Sequence, residues 1–443
     1  MYPLYSFITL LALVTLSPYF VYQALRHGKY VGGLGERLGH LSPSVNAGGY
    51  DSIWVHAVSV GEVLAAAPLI SELRRRYPQM RLFLSTTTLT GQRLARQGAV
   101  DVDGVLYFPF DWAFCVRRTL NRLKPQLFVM IDTEIWPNLL RQCRRRSIPT
   151  VLANGRISAQ SFQRYRMIRP LFRRVLADVD RLCVQGVEAA ARFEQLGVDP
   201  VRIMVTGSLK FDALDVVPAP RGGGARVLRF FRMSENRPVL VAGSTLQGEE
   251  AAIIRAFNRV RTAGGRPLLV LAPRHPKRFA EVERFCVSEG LETIRRTDLR
   301  IDAEPRAEAV ILDTIGELAD VYQIATVVFV GGSLVRAGGH NILEPAAFGK
   351  PVVFGPHMDN FSEIAETFLI NDAAVRVQSD RELETTIASL MGDPVRRARL
   401  GAAARALIDT NRGAKDRTLD VVAALLPPGD RRAGIVRPFR VNQ

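Results

Sequence analysis

The stretch Val327–His357, VVFVGGSLVRAGGHNILEPAAFGKPVVFGPH, carries more information about the fold than any other part of the chain. Its opening apolar residues predict a buried strand, followed by a turn at Gly331-Gly332-Ser333, a helix after Asn341 and a second strand from Val352. This arrangement predicts an anion site, because glycine lets the backbone approach and unpaired N–H groups at a helix start point at the ligand. The carboxylate of Glu344 is suited to ribose hydroxyls. The pattern therefore favours a nucleotide site, with an ordinary strand-to-helix turn as the alternative.

The same alternation of short apolar strands and helices runs through most of the chain. Strands are expected at Ile53–Ala57, Leu82–Ser85, Val105–Phe108, Leu127–Ile131, Val239–Ala242, Leu268–Leu271, Ala309–Leu312, Val327–Val330 and Val352–Phe354, and helices at Glu62–Arg76 and Glu134–Arg146. Such a pattern indicates parallel sheets covered on both faces. We predict two Rossmann-like α/β domains, 26–212 and 238–425, joined by a Pro- and Gly-rich linker, 213–237. A ligand cleft is expected between them, and residues 426–443 are expected to form a basic tail.

Composition narrows the range of partners. The 443 residues carry a net charge of +16, which predicts an anionic partner such as nucleic acid, acidic lipid or a phosphorylated substrate. The four cysteines lie far apart without metal-ligand spacing, so neither a zinc site nor a disulfide framework is predicted, and a reducing compartment is favoured. No Walker motif or GxGxxG follows a strand, which argues against nucleotide hydrolysis and NAD chemistry.

The first 25 residues predict a membrane anchor. They contain no charged side chain and are almost continuously apolar between Leu4 and Tyr22, a length that is sufficient to span a bilayer or to embed in one leaflet. Arg26, Lys29 and Arg37 follow, so the positive-inside rule places the body of the protein in the cytoplasm. A cleaved signal peptide fits poorly, because no basic residue precedes the apolar run.

Polar residues follow the strands of the first domain, where ligands bind in open parallel sheets. Glu62 is predicted in the first turn of a helix, where the dipole favours an ionised carboxylate, either as a general base or as a simple helix-start residue. Asp132 and Glu134 follow the fourth strand, so that one faces the cleft while the other caps the helix. Lys210, before the linker, is placed either to neutralise a phosphate or as a surface lysine.

In the second domain, Arg274 follows the strand Leu268–Leu271 and is suited to bidentate phosphate recognition. The neighbouring His275 is either a ligand contact or a turn residue. A basic stretch in the first domain interleaves arginines with apolar residues, which is typical either of a surface that meets anionic lipid or of a solvated helix face. Its arginines are Arg164, Arg166, Arg169, Arg173 and Arg174.

Taken together, these motifs resemble the 3-deoxy-D-manno-octulosonic acid (Kdo) transferases of lipopolysaccharide synthesis, from about Gly32 to about Leu425. The matching segments are GGLGERLG (32–39), HAVSVGE (56–62), DTEIWPN (132–138), GSLKFD (207–212), PRHPKRF (273–279) and the Val327–His357 stretch. The resemblance implies the GT-B architecture. It also implies an inverting transferase, without a catalytic metal or cofactor, that uses CMP-Kdo as donor and a lipid A precursor (lipid IVA) as acceptor. The expected location is the cytoplasmic face of the bacterial inner membrane, beside anionic lipid, and no nucleic-acid partner is expected.

The resemblance also implies roles for single residues. Glu62 would accept the proton of the acceptor hydroxyl, and Asp132 and Lys210 would stabilise the transition state. CMP would be bound by Pro273, Arg274, Ile315, Gly316, Glu317, Asn341, Ile342, Leu343 and Glu344.

Two positions depart from the family pattern. Asp132 stands where the family motif has Glu, which withdraws the carboxylate by one methylene, and misplacement on this scale affects rate. The family's STHEGEE reads STLQGEE at 244–250, with Leu246 and Gln247 in place of a histidine and an acid. The alternatives are a GT-B transferase that uses a UDP-sugar and a membrane-tethered, non-catalytic binder of nucleotide sugars.

Overall fold

The computed structural model describes residues 33–215, 227–231, 237–262 and 266–426, together with residues 2, 5–11, 13 and 15. The chain forms two compact units. The first comprises Met1–Val216 and Arg412–Gln443, and the second comprises Val217–Asn411.

The first unit is built on a parallel sheet. Its described residues form seven strands, in the order β3-β2-β1-β4-β5-β6-β7. The strands are β1 Ser52–His56, β2 Arg81–Thr86, β3 Gly104–Tyr107, β4 Pro125–Ile131, β5 Thr150–Gly155, β6 Arg181–Val184 and β7 Ile203–Val205. The helices are α1 Leu34–Arg37, α2 Val60–Arg76, α3 Leu89–Leu94, α4 Ala113–Leu123, α5 Pro137–Arg145, α6 Ala159–Met167, α7 Arg169–Leu176, α8 Val187–Gln195 and α9 Leu209–Asp212.

Both faces of this sheet are buried, which explains why its strands are apolar without alternation. Ile53 and Val55 of β1 pack on the face that α2 covers with Leu69. Trp54, between them in sequence, packs on the opposite face with Phe128 of β4. Helix α5 begins at Pro137, three residues after the predicted start, because proline is favoured in a first helical turn.

The second unit repeats the architecture. Its described residues form seven parallel strands in the order β10-β11-β9-β8-β12-β13-β14. The strands are β8 Val239–Thr245, β9 Leu268–Pro273, β10 Thr293–Arg295, β11 Ala309–Ile311, β12 Val327–Val330, β13 Val352–Phe354 and β14 Ala374–Arg376. The helices are α10 Glu250–Thr262, α11 Phe279–Ser288, α12 Leu318–Val321, α13 Leu343–Ala347, α14 Ser362–Ile370, α15 Asp380–Gly392 and α16 Pro394–Asn411. The prediction of two domains with parallel sheets is confirmed.

The last helix of the described residues, α17 Ala414–Leu425, lies in the first unit, whereas it was predicted to belong to the second. Its residues Leu419 and Val422 join the core beneath α2. The buried carboxylate of Asp212 accepts hydrogen bonds from the backbone N–H groups of Gly413 at 2.7 Å and Lys415 at 2.6 Å, which caps the start of this helix. Most of the linker 213–237, and the tail from residue 427 onward, lie outside the described residues.

Much of the predicted anchor also lies outside the described residues, including the whole of residues 16–32. Residues 5–11 are helical. Polar groups of this segment bond to the first unit, because Ser6 Oγ accepts from Asn138 at 2.8 Å and Thr9 Oγ1 accepts from the Trp112 indole at 3.1 Å. In the part of the chain that the structure describes, every helix is too short or too polar to cross a membrane.

Candidate active site

The carboxyl ends of β1, β4 and β5, which are neighbours in the first sheet, bring together the predicted catalytic segments. Glu62 lies in the first turn of α2, as predicted, and is half-buried. Its carboxylate accepts hydrogen bonds from the Val58 backbone N–H at 2.7 Å and from the Ser59 hydroxyl at 3.0 Å. These two bonds fix the position of the side chain. Each carboxylate oxygen still has a second lone pair that can accept a substrate proton.

The titration of Glu62 differs from the sequence expectation. Burial, followed by the charge of Asp132, raises the pKa of Glu62 to about 7, against the two local hydrogen bonds and the charge of Arg156, which lower it. The helix dipole therefore does not keep this carboxylate strongly ionised. A pKa near the working pH is the property of an efficient general base, because the ionised fraction and the affinity for the proton are both substantial.

Asp132 adopts a left-handed backbone conformation, with φ of 58°, at the end of β4. Aspartate tolerates this conformation better than most residues, so the shorter acid is compatible with the local backbone. Its carboxylate accepts a hydrogen bond from the Asn154 side-chain amide at 2.5 Å and lies 3.5 Å from the Arg156 guanidinium. Asp132 is thus held in place by two residues that follow one another closely at the end of β5.

Glu134 is a third acid at this site. Its pKa is raised to about 7 by burial and then by the charges of Glu62 and Asp132. One of the two acids, Asp132 or Glu134, was predicted to cap helix α5, and neither does so. Helix α5 instead receives its cap from Asp111, whose carboxylate accepts from the backbone N–H groups of Asn138 and Leu139 at 2.9 and 2.8 Å.

Lys210 lies in the short helix α9 and is half-buried. Asn154 connects this helix to the acidic cluster. Its amide N–H group donates to Asp132, while its side-chain oxygen accepts from the Leu209 backbone N–H at 2.9 Å. The structure therefore brings the segments of Asp132 and Lys210 together through one buried side chain. Asn154 was not among the residues predicted for this site.

The glycine turn of the second unit is already filled by an internal anion. Glu249 is fully buried, and its carboxylate accepts hydrogen bonds from the backbone N–H groups of Gly332 at 2.7 Å and of Ser333 and Leu334 at 3.0 Å. It also accepts from Leu246 N–H at 2.8 Å. The expectation that the Gly331-Gly332-Ser333 turn offers free N–H groups to a ligand is therefore wrong, because Glu249 occupies them.

The neighbouring acid, Glu250, is structural as well. It accepts from the Thr245 hydroxyl at 3.0 Å and pairs with the Arg278 guanidinium at 2.6 Å. Leu246 and Gln247, where this chain departs from the family pattern, lie in the turn between β8 and α10, and Gln247 is exposed. The changes at Leu246 and Gln247 therefore leave the two structural acids, Glu249 and Glu250, in place.

Pro273 and Arg274 lie at the carboxyl end of β9, in the middle of the second sheet. Pro273 is buried, whereas the side chain of Arg274 is exposed and its backbone N–H donates to the Thr245 carbonyl at 3.0 Å. An exposed guanidinium on an anchored backbone is suited to a phosphate. His275, next in sequence, is exposed too.

Asn341–Glu344 follow β12, the neighbour of β8. Ile342 and Leu343 are buried in the core, so only their backbone is available to a ligand. Asn341 organises the segment, since its side-chain oxygen accepts from Leu343 N–H at 3.0 Å and its amide N–H group donates to Glu344 at 3.1 Å. Burial raises the pKa of Glu344, while Asn341 and then Arg274 act to lower it, which places Arg274 near this carboxylate.

Ile315, Gly316 and Glu317 form the turn before α12. The Ile315 side chain is 85% exposed, and Gly316 has φ of 92°. Glu317 instead pairs with Arg296 at 2.8 Å and accepts from the Thr314 hydroxyl at 2.6 Å. Glu317 thus fixes the turn, and Ile315 and Gly316 remain exposed at its surface.

Comparison with known proteins shows which family the chain resembles. The family model described as 3-Deoxy-D-manno-octulosonic-acid transferase (kdotransferase) matches residues 32–213. The chain is 35% identical over 376 residues to the 3-deoxy-D-manno-octulosonic acid transferase of Haemophilus influenzae, covering 84% of this chain and 87% of that protein. The enzyme of the same name from Bordetella pertussis is 36% identical, with 84% of this chain and 86% of that protein covered.

A glycosyltransferase from Rickettsia africae shares the fold, with a TM-score of 0.52 and 12% identity over 86% of this chain and 99% of that chain. Each unit has the parallel α/β architecture of the GT-B glycosyltransferases. With relatives above 30% identity covered over most of their length, the chain belongs to the 3-deoxy-D-manno-octulosonic acid (Kdo) transferase family and is a glycosyltransferase.

Proposed function

We propose that this enzyme moves Kdo from CMP-Kdo to a lipid A precursor (lipid IVA), with inversion, and that Glu62 is the general base. The observation that carries the proposal is the state of Glu62, a fixed and half-buried carboxylate whose pKa is raised to about 7. The acceptor oxygen forms a bond to the ketosidic carbon, the bond from that carbon to the phosphate oxygen breaks, and the acceptor proton passes to Glu62. CMP leaves with the bonding electrons.

Asp132 and Lys210 are proposed to stabilise the charge that develops in this step. The links through Asn154 and Arg156 support the proposal, because they hold the Asp132 carboxylate and the start of the Lys210 helix in fixed positions before substrate arrives. Preorganised groups of this kind stabilise a transition state without reorganising during the reaction.

The donor is proposed to bind the second unit. The exposed Arg274 supports recognition of the phosphate. The Asn341–Glu344 segment and the Ile315–Glu317 turn supply backbone groups and a carboxylate for the rest of the nucleotide. The protein itself contributes binding, orientation and proton transfer here, and the proposal assigns no step to a metal or cofactor.

The enzyme is further proposed to work at the cytoplasmic face of the bacterial inner membrane. Residues 5–11 present the exposed apolar side chains of Phe7, Ile8, Leu10 and Leu11. The arginines of α6 and α7 are exposed as well, and Met167 between these helices is 79% exposed. Basic and apolar groups on one protein favour anionic lipid. Cosedimentation with phosphatidylglycerol vesicles, but not with phosphatidylcholine vesicles, is the expected result.

The decisive experiment incubates purified enzyme with CMP-Kdo and tetraacylated lipid A precursor in EDTA, and follows the acceptor by mass spectrometry. A gain of one or more Kdo residues supports the proposal. Binding of CMP-Kdo without any gain would contradict it and favour a non-catalytic binder. Competition by UDP, but not by CMP, would instead indicate a UDP-sugar donor.

A further inference from the structure

The imidazole of His340 has a nitrogen with no hydrogen-bond partner among the described residues. His340 lies on the loop between β12 and α13, and its Nε2 atom is buried without a hydrogen bond. An interaction with the Gly339 backbone acts to raise the pKa of the ring. An unpaired buried polar atom is unfavourable by about 1–3 kcal/mol, and most buried polar atoms in folded proteins therefore have a hydrogen-bond partner.

The backbone around the ring leaves room for this orientation. A Cβ at Gly332 would lie 3.3 Å from Nε2, which is closer than most such contacts, and Gly332 has φ of 68°. The Gly339 N–H donates to the Gly332 carbonyl at 2.7 Å, which joins the two ends of the loop. The imidazole therefore packs against Gly332 of the turn that Glu249 fills, at a position where a side chain on residue 332 would be crowded.

Arg274 and His275 lie near the ring of His340 and disfavour its protonation. Burial and then the charge of Arg274 lower the pKa of His340 below its usual value, with His275 acting in the same direction and the Gly339 carbonyl in the opposite one. The carboxylate of Glu344 faces Arg274 from α13. The ring of the free enzyme is thus neutral near pH 7. A neutral imidazole keeps a lone pair on one ring nitrogen, and this lone pair can accept a proton.

We propose that His340 takes up a proton from solvent when the nucleotide binds, and that its Nε2–H then donates to a phosphoryl oxygen held beside Arg274. The inference deepens the proposed function and rests on it for the identity of the nucleotide. The phosphate adds negative charge beside the ring, and this charge favours the imidazolium. When the bond from the ketosidic carbon to the phosphate oxygen breaks, the phosphate gains charge and the hydrogen bond strengthens. An interaction of that kind accelerates the reaction.

The test compares CMP affinity by calorimetry between pH 6 and 8 for the wild type, His340→Gln and His340→Asn. The amide nitrogen of glutamine reaches the position of Nε2, whereas that of asparagine reaches only the position of Nδ1. We expect His340→Asn to bind CMP about tenfold more weakly at pH 6, equivalent to about 1.4 kcal/mol. We expect His340→Gln to retain most of the affinity and to lose the part of the pH dependence that belongs to the imidazole.

Three comparisons make the interpretation of the affinity changes specific to His340 and the phosphate. The second ionisation of CMP itself, near pH 6, acts on all proteins alike and cancels in the ratio of wild-type to variant affinity. Cytidine lacks the phosphate, so its affinity is expected to be unchanged by either substitution. His40→Gln, which alters an exposed histidine of the first unit, is expected to bind CMP as the wild type does.

An independent measurement on the wild type uses ¹⁵N-labelled histidine. The chain has six histidines, so the His340 signals can be assigned by comparison with the variants. Protonation of Nε2 on addition of CMP supports the inference. Unchanged CMP affinity in both variants, equal losses for CMP and cytidine, or an Nε2 that stays unprotonated in the complex would overturn it. Failure of the wild type to bind CMP would instead overturn the proposed donor.

Discussion

Replacement of Glu62 by glutamine tests the proposed base most directly. The amide is expected to keep the local structure, because its oxygen accepts from Val58 N–H while its N–H group donates to the Ser59 hydroxyl, the two partners that the carboxylate has now. A general base contributes roughly 10²- to 10⁴-fold in rate, equivalent to about 3–5 kcal/mol of barrier. We therefore expect Glu62→Gln to lose at least about 100-fold in kcat while its Tm and its CMP affinity stay near wild type.

The pH dependence gives a second, quantitative test. With the pKa of Glu62 raised to about 7, roughly a tenth of the free enzyme carries the ionised base at pH 6, so kcat/KM is expected to rise about tenfold per pH unit up to that pKa and then to level. The residual activity of Glu62→Gln should lack this rise of kcat/KM below pH 7, which we call the acidic limb of the profile. Glu188→Gln, which alters an exposed acid in the first turn of α8, is the matched control and should keep both rate and limb. Full activity in a folded Glu62→Gln enzyme would refute the assignment.

Three further substitutions test the groups around the two sites. Asp132→Asn removes a charge that raises the pKa of Glu62, so the limb of kcat/KM should move to lower pH as the rate falls; an unmoved limb would contradict this coupling. Asn154→Gly keeps the left-handed backbone, with φ of 60°, but removes the bonds to Asp132 and Leu209, and urea unfolding should show a loss of about 2 kcal/mol. Glu249→Gln sets an amide against several N–H donors, and a loss of about 3 kcal/mol or more is expected in thermal unfolding; an unchanged Tm would show that the turn does not depend on the carboxylate.

The repeating pattern of apolar strands and helices was sufficient to predict both sheets, because parallel strands buried on two faces leave a strong signal in sequence. It was also sufficient to place Glu62 in a first helical turn and Arg274 at a strand end. These are local properties, in which the residue, its neighbours and the periodicity lie within one short segment.

What the sequence did not reveal depends on contacts across long separations. Asn154 is a polar residue near the end of an apolar strand, and that position was the available signal, but only the fold shows that it joins Asp132 to Leu209. The Gly331–Ser333 turn has the composition of a phosphate site, and nothing local indicates that Glu249, more than 80 residues earlier, fills it. Likewise, periodicity cannot tell which unit the helix Ala414–Leu425 joins.

That last helix sets an order of assembly. Because Ala414–Leu425 completes the core beneath α2 and is capped by Asp212, the core of the first unit is not complete until residue 425 has been synthesised. The second unit, Val217–Asn411, is continuous and has all its strands once residue 411 is made. On the ribosome the second unit is therefore free to fold before the first is complete, although the first begins earlier. A chain that stops before Ala414 would lose the contacts of Leu419 and Val422 with this core, so a truncation that removes the helix would expose apolar surface in the unit that carries Glu62 and favour aggregation.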